Sequence, residues 1–126
     1  MVELYYNKDH SAFAVLVSNG YGSGWSTWNA KELAYDRRVI EWYLEHSSYE
    51  FCNNVRIYES GNQKESAEHE EAVKFFASIG YNGIYFGGYK PNMLKWVPVN
   101  KPWRITEYDG SESIEYLDMK KWNVFN

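Results

Sequence analysis

Two arginines set within apolar stretches are the first residues that could do chemistry. Arg56 lies in residues 55–58 and Arg104 in residues 103–108. A planar guanidinium on a strand between aromatics suits bidentate contact with phosphate. The plainer reading is a salt bridge on a sheet face, because Glu107, Glu112 and Glu115 stand close by in the same hairpin. Aromatic rings supply the second ingredient. Trp25-Ser26-Thr27-Trp28-Asn29 follows the glycine-rich loop Asn19-Gly20-Tyr21-Gly22-Ser23-Gly24. In a strand, residues 25 and 28 fall on opposite faces, which leaves one indole free to stack a base, worth roughly 1–3 kcal/mol. The competing reading makes one indole core and the other its cover. A second run, Tyr85-Phe86-Gly87-Gly88-Tyr89-Lys90-Pro91-Asn92, offers Phe86 or Tyr89 to a ring and the Asn92 amide to ribose or base edges. Otherwise it is a tight connection between strands. The candidate ligand-binding set is therefore Trp25, Trp28, Arg56, Phe86, Tyr89, Asn92 and Arg104.

Catalytic patterns are missing from the same sequence. Gly20, Gly22 and Gly24 invite comparison with a dinucleotide loop, but G-x-G-x-x-G requires glycine or alanine where Trp25 stands. His10, His46 and His69 have no i,i+4 ligand spacing, and neither H-E-x-x-H nor G-x-S-x-G occurs. Cys52 beside Phe51 reads as a packed small hydrophobe rather than a nucleophile. We expect no catalytic residue, no metal site and no cofactor. A hidden pair among the many carboxylates would be the route to an enzyme.

Composition narrows the class further. The chain has 126 residues, the size of a single domain spanning 1–126, and 44% of them are hydrophobic. Aromatic residues make up 19%, more than one core needs, and such an excess collects at interfaces and ligand pockets. A net charge of −4 argues against binding duplex nucleic acid. One cysteine gives no internal disulfide, the N-terminal residues do not read as a signal peptide, and no apolar stretch is long enough for a transmembrane helix, so a cytoplasmic location is expected.

These groups must be positioned by an α+β fold. Residues 2–6 and 12–18 read as strands, the second nearly all apolar and therefore central. Asp36 is placed to cap a helix to about His46, with Val39, Ile40, Tyr43 and Leu44 inward. Arg37 and Arg38 open that helix against its dipole, where an anion or carboxylate would offset them. Residues 55–58 and 84–86 read as short strands. Ser66 would cap a second helix with Val73, Phe76 and Ala77 inward and Gly80 as its stop. Residues 94–97 and 103–108 are further strands, and Asp109-Gly110 turns a hairpin into a return strand at 112–117. The expected architecture is a mostly antiparallel sheet of about six or seven strands with two helices packed on it.

Four blocks of the chain resemble a family widespread in bacteriophages. They are residues 15–29 (VLVSNGYGSGWSTWN), 32–38 (ELAYDRR), 83–89 (GIYFGGY) and 107–113 (EYDGSES). Together they resemble the first Thoeris anti-defence family, over nearly the whole chain. That resemblance implies a sponge that captures cyclic ADP-ribose signals without cleaving them, in the host bacterial cytosol. It also implies a homodimer or higher homo-oligomer, a pocket for adenine, two riboses and two phosphates, and in some relatives a separate site for cyclic oligonucleotides. It assigns no residue here. The alternatives are a protein-binding inhibitor of a host defence enzyme, a small nucleotide-acting enzyme and, against the acidic balance, a single-strand nucleic-acid binder.

Overall fold

The computed structural model describes residues 2–22, 24–47 and 63–116. At its centre is strand β1 (Ala12–Leu16), which pairs antiparallel with β2 (Leu94–Pro98) in the register Ala12↔Pro98 to Leu16↔Leu94. The other edge of β1 meets the N-terminal segment through a bridge between Tyr6 and Phe13 and a hydrogen bond from Ala14 N–H to the Tyr5 carbonyl. Because side chains alternate along a strand, an all-apolar β1 must be covered on both faces. Ala14 and Leu16 join a large core with α1 (Arg37–His46) and α2 (Gln63–Ser78). Phe13, Val15 and Val17 point the other way, into a smaller core with Ala34 and Val97. Trp103, Ile105 and Ile114 of the second sheet pack against that smaller core.

The second sheet is the hairpin of β3 (Trp103–Tyr108) and β4 (Ser111–Tyr116), in the register Trp103↔Tyr116 to Tyr108↔Ser111. Asp109 and Gly110 form its turn at φ 51° and 90°. Two successive residues with positive φ are what a tight hairpin with right-handed strand twist requires, and Asp-Gly adopts that geometry readily.

The single sheet of six or seven strands expected from sequence is corrected here. The described residues hold four strands in two separate two-stranded sheets. Of residues 2–6, only Tyr6 makes a bridge, and residues 84–86 form no strand. Asn29 explains the latter: its side-chain amide donates to the Tyr85 carbonyl (3.0 Å) and accepts from the Tyr85 N–H (2.9 Å). One side chain thus satisfies the backbone groups that a neighbouring strand would have taken. The expected strand at 55–58 lies outside the described residues, as does Leu117 at the end of the return strand.

Both helices bury an aromatic stripe. On α1 the inward residues are Val39, Ile40, Trp42 and Tyr43, whereas Leu44, expected inward, is half exposed. Helix α2 covers Gln63–Ser78, so Ser66 lies within it and not at its start. Its buried residues include Ala72 and Phe76, while Val73 and Ala77 are turned outward. Trp42 stacks on Phe75 at 5.3 Å and meets Phe76 edge-on at 5.4 Å, which locks the helices together. The chain leaves α2 through Gly80 at φ 100°, with Gly80 N–H bonded to the Ala77 carbonyl and Tyr81 N–H to that of Phe76. This pair of bonds satisfies the carbonyls orphaned at a helix end.

Asp36 caps α1 and ties it to the exit of α2. Its carboxylate accepts from Arg38 N–H (2.9 Å), the Arg38 guanidinium (2.7 Å) and the Tyr81 hydroxyl (2.8 Å). Burial alone would raise the Asp36 pKa, but the Arg38 and Tyr81 hydrogen bonds outweigh it and hold the carboxyl below its ordinary range. Burial, then the bond to Asp36, push the Tyr81 phenol up, so it stays a neutral donor. A lowered folded pKa means that the carboxylate stabilises the fold above the unfolded pKa of 3.8 and loses that contribution as pH falls through the lower folded value. Asp36→Asn keeps a capping side chain but removes the charge. Denaturant melts from about pH 6 down to about pH 2 should show the variant less stable at neutral pH, with a shallower acid decline than the parent. Parallel acid limbs would remove Asp36 as their source.

Candidate functional site

The glycine-rich loop after β1 leads into two short 3-10 turns, Ser26–Trp28 and Lys31–Ala34. What fixes the first is a carboxylate from the far hairpin. Glu112 is buried; its Oε2 accepts from Trp25 N–H (2.9 Å), Thr27 N–H (2.9 Å) and the Thr27 hydroxyl (2.6 Å). Its Oε1 accepts from Ser18 N–H (3.0 Å), and the Glu112 N–H returns a bond to the Ser18 carbonyl (2.7 Å). A buried carboxylate is costly unless its lone pairs are met; here three backbone N–H groups and the Thr27 hydroxyl meet them, with no ion pair to Glu112 among the described residues. Glu107, directly opposite Glu112 in the register, would repel it in an open sheet. Its Oε2 is instead engaged by Trp28 Nε1–H (3.2 Å) and Gly110 N–H (2.7 Å).

So held, the two turns and β3 border an open cleft of about 700 Å³, a size that accommodates a small organic ligand. Ser26, Thr27 and Asn29 form one wall, Lys31 and Tyr35 another, and Trp103, Arg104 and Ile105 the strand side. Tyr35 and Trp103 meet edge-on at 6.2 Å. Burial, and secondarily the Glu32 carboxylate, push the Tyr35 phenol above its ordinary pKa, so it offers a neutral hydroxyl. Asn29 has no amide to spare, being committed to Tyr85 and to the Trp25 carbonyl (2.8 Å). Arg104 gives one N–H to Glu115 at 2.7 Å across the hairpin, which leaves further guanidinium donors. With both partners about half exposed or more, that salt bridge holds the side chain only weakly. The cleft therefore combines two cations, an indole, a phenol and the Ser26 hydroxyl, the Thr27 hydroxyl being donated to Glu112.

The candidate residues from sequence separate into four places. Arg104 lines the cleft and is also the sheet-face salt bridge of the plainer reading. Trp25, Phe86 and Tyr89 do come together, with the Trp25 ring 6.1 Å from Phe86 and 5.7 Å from Tyr89, but inside the sealed core. The Trp25 indole N–H is spent on the Leu33 carbonyl (3.0 Å) and the Tyr89 hydroxyl on that of His46 (2.9 Å). Trp28 is partly exposed and paired with Tyr85, outside the cleft lining. Asn92 sits exposed at a turn with φ 68°, also outside the lining. Arg56 lies outside the described residues. The structure thus does not gather Trp25, Trp28, Phe86, Asn92 and Arg104 around one cavity.

Sequence reasoning passed over Lys31, Tyr35 and Trp103. Trp103-Arg104, an aromatic and a cation adjacent on one strand, was the available signal for the last. Among the described residues no three His, Cys, Asp or Glu side chains group as a metal site, and no helix is long and apolar enough to cross a membrane. No protein-family model, curated protein or solved structure matches the chain.

Proposed function

We propose that this chain binds a cyclic nucleotide signal of the cyclic ADP-ribose class in the cleft beside the 3-10 turns, and sequesters it without cleavage. The observation that carries the reading is the cleft of about 700 Å³ in which Lys31 and Arg104 flank Tyr35 and Trp103. A nucleotide needs cations for its phosphates, a flat ring for its base and hydroxyl groups for its ribose, and these are the chemistries in the lining. The resemblance of the four sequence blocks to the Thoeris anti-defence family points the same way. The pocket of that proposal differs from the one expected from sequence, since Trp103 takes the stacking role and Lys31 the place of a second cation. Nanomolar affinity requires about 12 kcal/mol; one stacked ring at roughly 1–3 kcal/mol and two charge-assisted contacts at roughly 1.5–3 kcal/mol each supply about 4–9 kcal/mol, so tight capture also needs the remaining contacts of the lining.

Thermal unfolding against a panel of cyclic ADP-ribose isomers and cyclic di- and trinucleotides tests this. Ligand at a hundred times its Kd adds about 2.7 kcal/mol, a shift of several degrees for a chain of this size. Heat-released ligand should run unchanged on chromatography. Lys31→Ala and Arg104→Ala should each weaken binding about tenfold or more, with unfolding in the absence of ligand little changed, because each removes a charge-assisted contact from an exposed side chain. Binding that survives both substitutions would dismiss the cleft. A panel without any shift would dismiss sequestration.

A further inference from the structure

Outside the cleft lining, the same turn carries a feature that nucleotide binding does not use. Trp28 and Tyr85 form a tilted pair with ring centroids 5.7 Å apart, and Tyr21 and Tyr108 an edge-on pair at 6.2 Å. The pairs are fastened to one another. The Tyr85 hydroxyl donates to the Gly22 carbonyl (3.2 Å), Gly22 N–H donates to the Asp109 carbonyl, and Trp28 Nε1–H donates to Glu107. Two glycines fit the rings to the backbone: a Cβ at Gly24 would collide with the Trp28 ring, and one at Gly87 with the Tyr85 ring. Trp28 and Tyr85 are therefore set in place before any partner arrives while remaining 42% exposed; Tyr21 and Tyr108, 74% and 76% exposed, are placed beside them by the backbone bond between Gly22 and Asp109. Exposed carboxylates rim them. Neither Glu107 nor Asp109 is in an ion pair among the described residues, and the chain as a whole carries a net charge of −4.

We propose that this patch is a docking surface for a basic protein segment that lays an arginine side chain across the rings. Aromatic faces attract cations, and a guanidinium can stack on a ring while its edge bonds a carboxylate, so rings beside Glu107 and Asp109 select arginine over an apolar or acidic side chain. A macromolecular partner fits better than a small cation because Tyr21 and Tyr108 stand out on open surface, and protruding Tyr and Trp are the anchors of protein interfaces. The inference does not depend on what fills the cleft.

Random-peptide display on the intact protein tests it, run in parallel on the parent, on Tyr21→Ala/Tyr108→Ala and on Asp109→Asn. Asparagine tolerates the positive φ of position 109, so the last change removes charge and keeps the turn. Peptides enriched on the parent should carry arginine. Synthetic copies should bind the double variant about fivefold more weakly or worse, bind Asp109→Asn more weakly, and lose affinity as salt rises. If the double variant fails to fold, Asp109→Asn and the salt dependence decide. Enrichment without basic residues, affinity indifferent to Asp109→Asn and to salt, or sedimentation showing a second copy of this chain on the patch would each overturn the proposal.

Discussion

Replacing Glu112 with alanine is expected to destabilise the protein by about 3–5 kcal/mol, a fall in Tm of roughly 10–20 °C. The carboxylate is the acceptor for the N–H groups of Ser18, Trp25 and Thr27 and for the Thr27 hydroxyl. Alanine leaves those donors buried or half-buried with no acceptor. Glutamine separates charge from shape. Its one carbonyl oxygen can serve the three donors at Oε2, but its NH₂ must then face the Ser18 N–H, so a loss of about 2 kcal/mol is expected. Chemical and thermal denaturation would measure both. A Glu112→Ala protein within about 1 kcal/mol of the parent would show that the loop is held by other contacts. Because Glu112 fixes the turn that forms one wall of the cleft, the same variant should lose ligand-induced stabilisation even where it remains folded.

The second large effect is expected at Trp25. Its ring has no exposed surface and packs against Phe76 at 5.8 Å, Phe86 and Tyr89. Truncation to alanine opens a cavity that rigid neighbours cannot fill, at a cost of about 3–5 kcal/mol. Trp25→Phe keeps most of the packing and loses the hydrogen bond to the Leu33 carbonyl, at a cost of about 1–2 kcal/mol. The pair of variants also separates two roles for this residue. A ligand platform would lose nucleotide affinity with its fold intact. A core residue would lose stability, while the Trp25→Phe protein still binds. The second pattern is the one expected.

Local chemistry made part of this fold legible in the sequence. Asp109-Gly110 marked its hairpin because few residue pairs tolerate two positive φ values, Asp36 marked a helix start, and Gly80 marked a stop. The apolar run of β1 announced a strand covered on both sides. What escaped depends on contacts between distant residues. Glu112 stands in a hairpin rich in charge, and nothing local distinguishes a glutamate that will be buried by a loop 85 to 94 residues earlier. Residues 84–86 have the composition of a strand, but the Asn29 side chain takes the place of a neighbour. Trp25, Phe86 and Tyr89 flank glycines, which suggests exposed loops, yet the loops close over their own aromatics. Of the cleft, only Arg104 was visible in advance, since its other walls come from turns whose positions no periodicity encodes.

The distance in sequence between Glu112 and its donors also sets an order of events during synthesis. Ser18, Trp25 and Thr27 leave the ribosome long before the residue that will accept their hydrogen bonds, so the nascent chain carries the glycine loop without its fastening. Joining ends this far apart is the slow kind of contact formation. The cleft should be the last part of the molecule to acquire its shape, after α1 and the Asp109-Gly110 hairpin, whose contacts are local. Chains arrested before residue 112 should expose the 25–28 turn to protease, and chains extended past the hairpin should protect it.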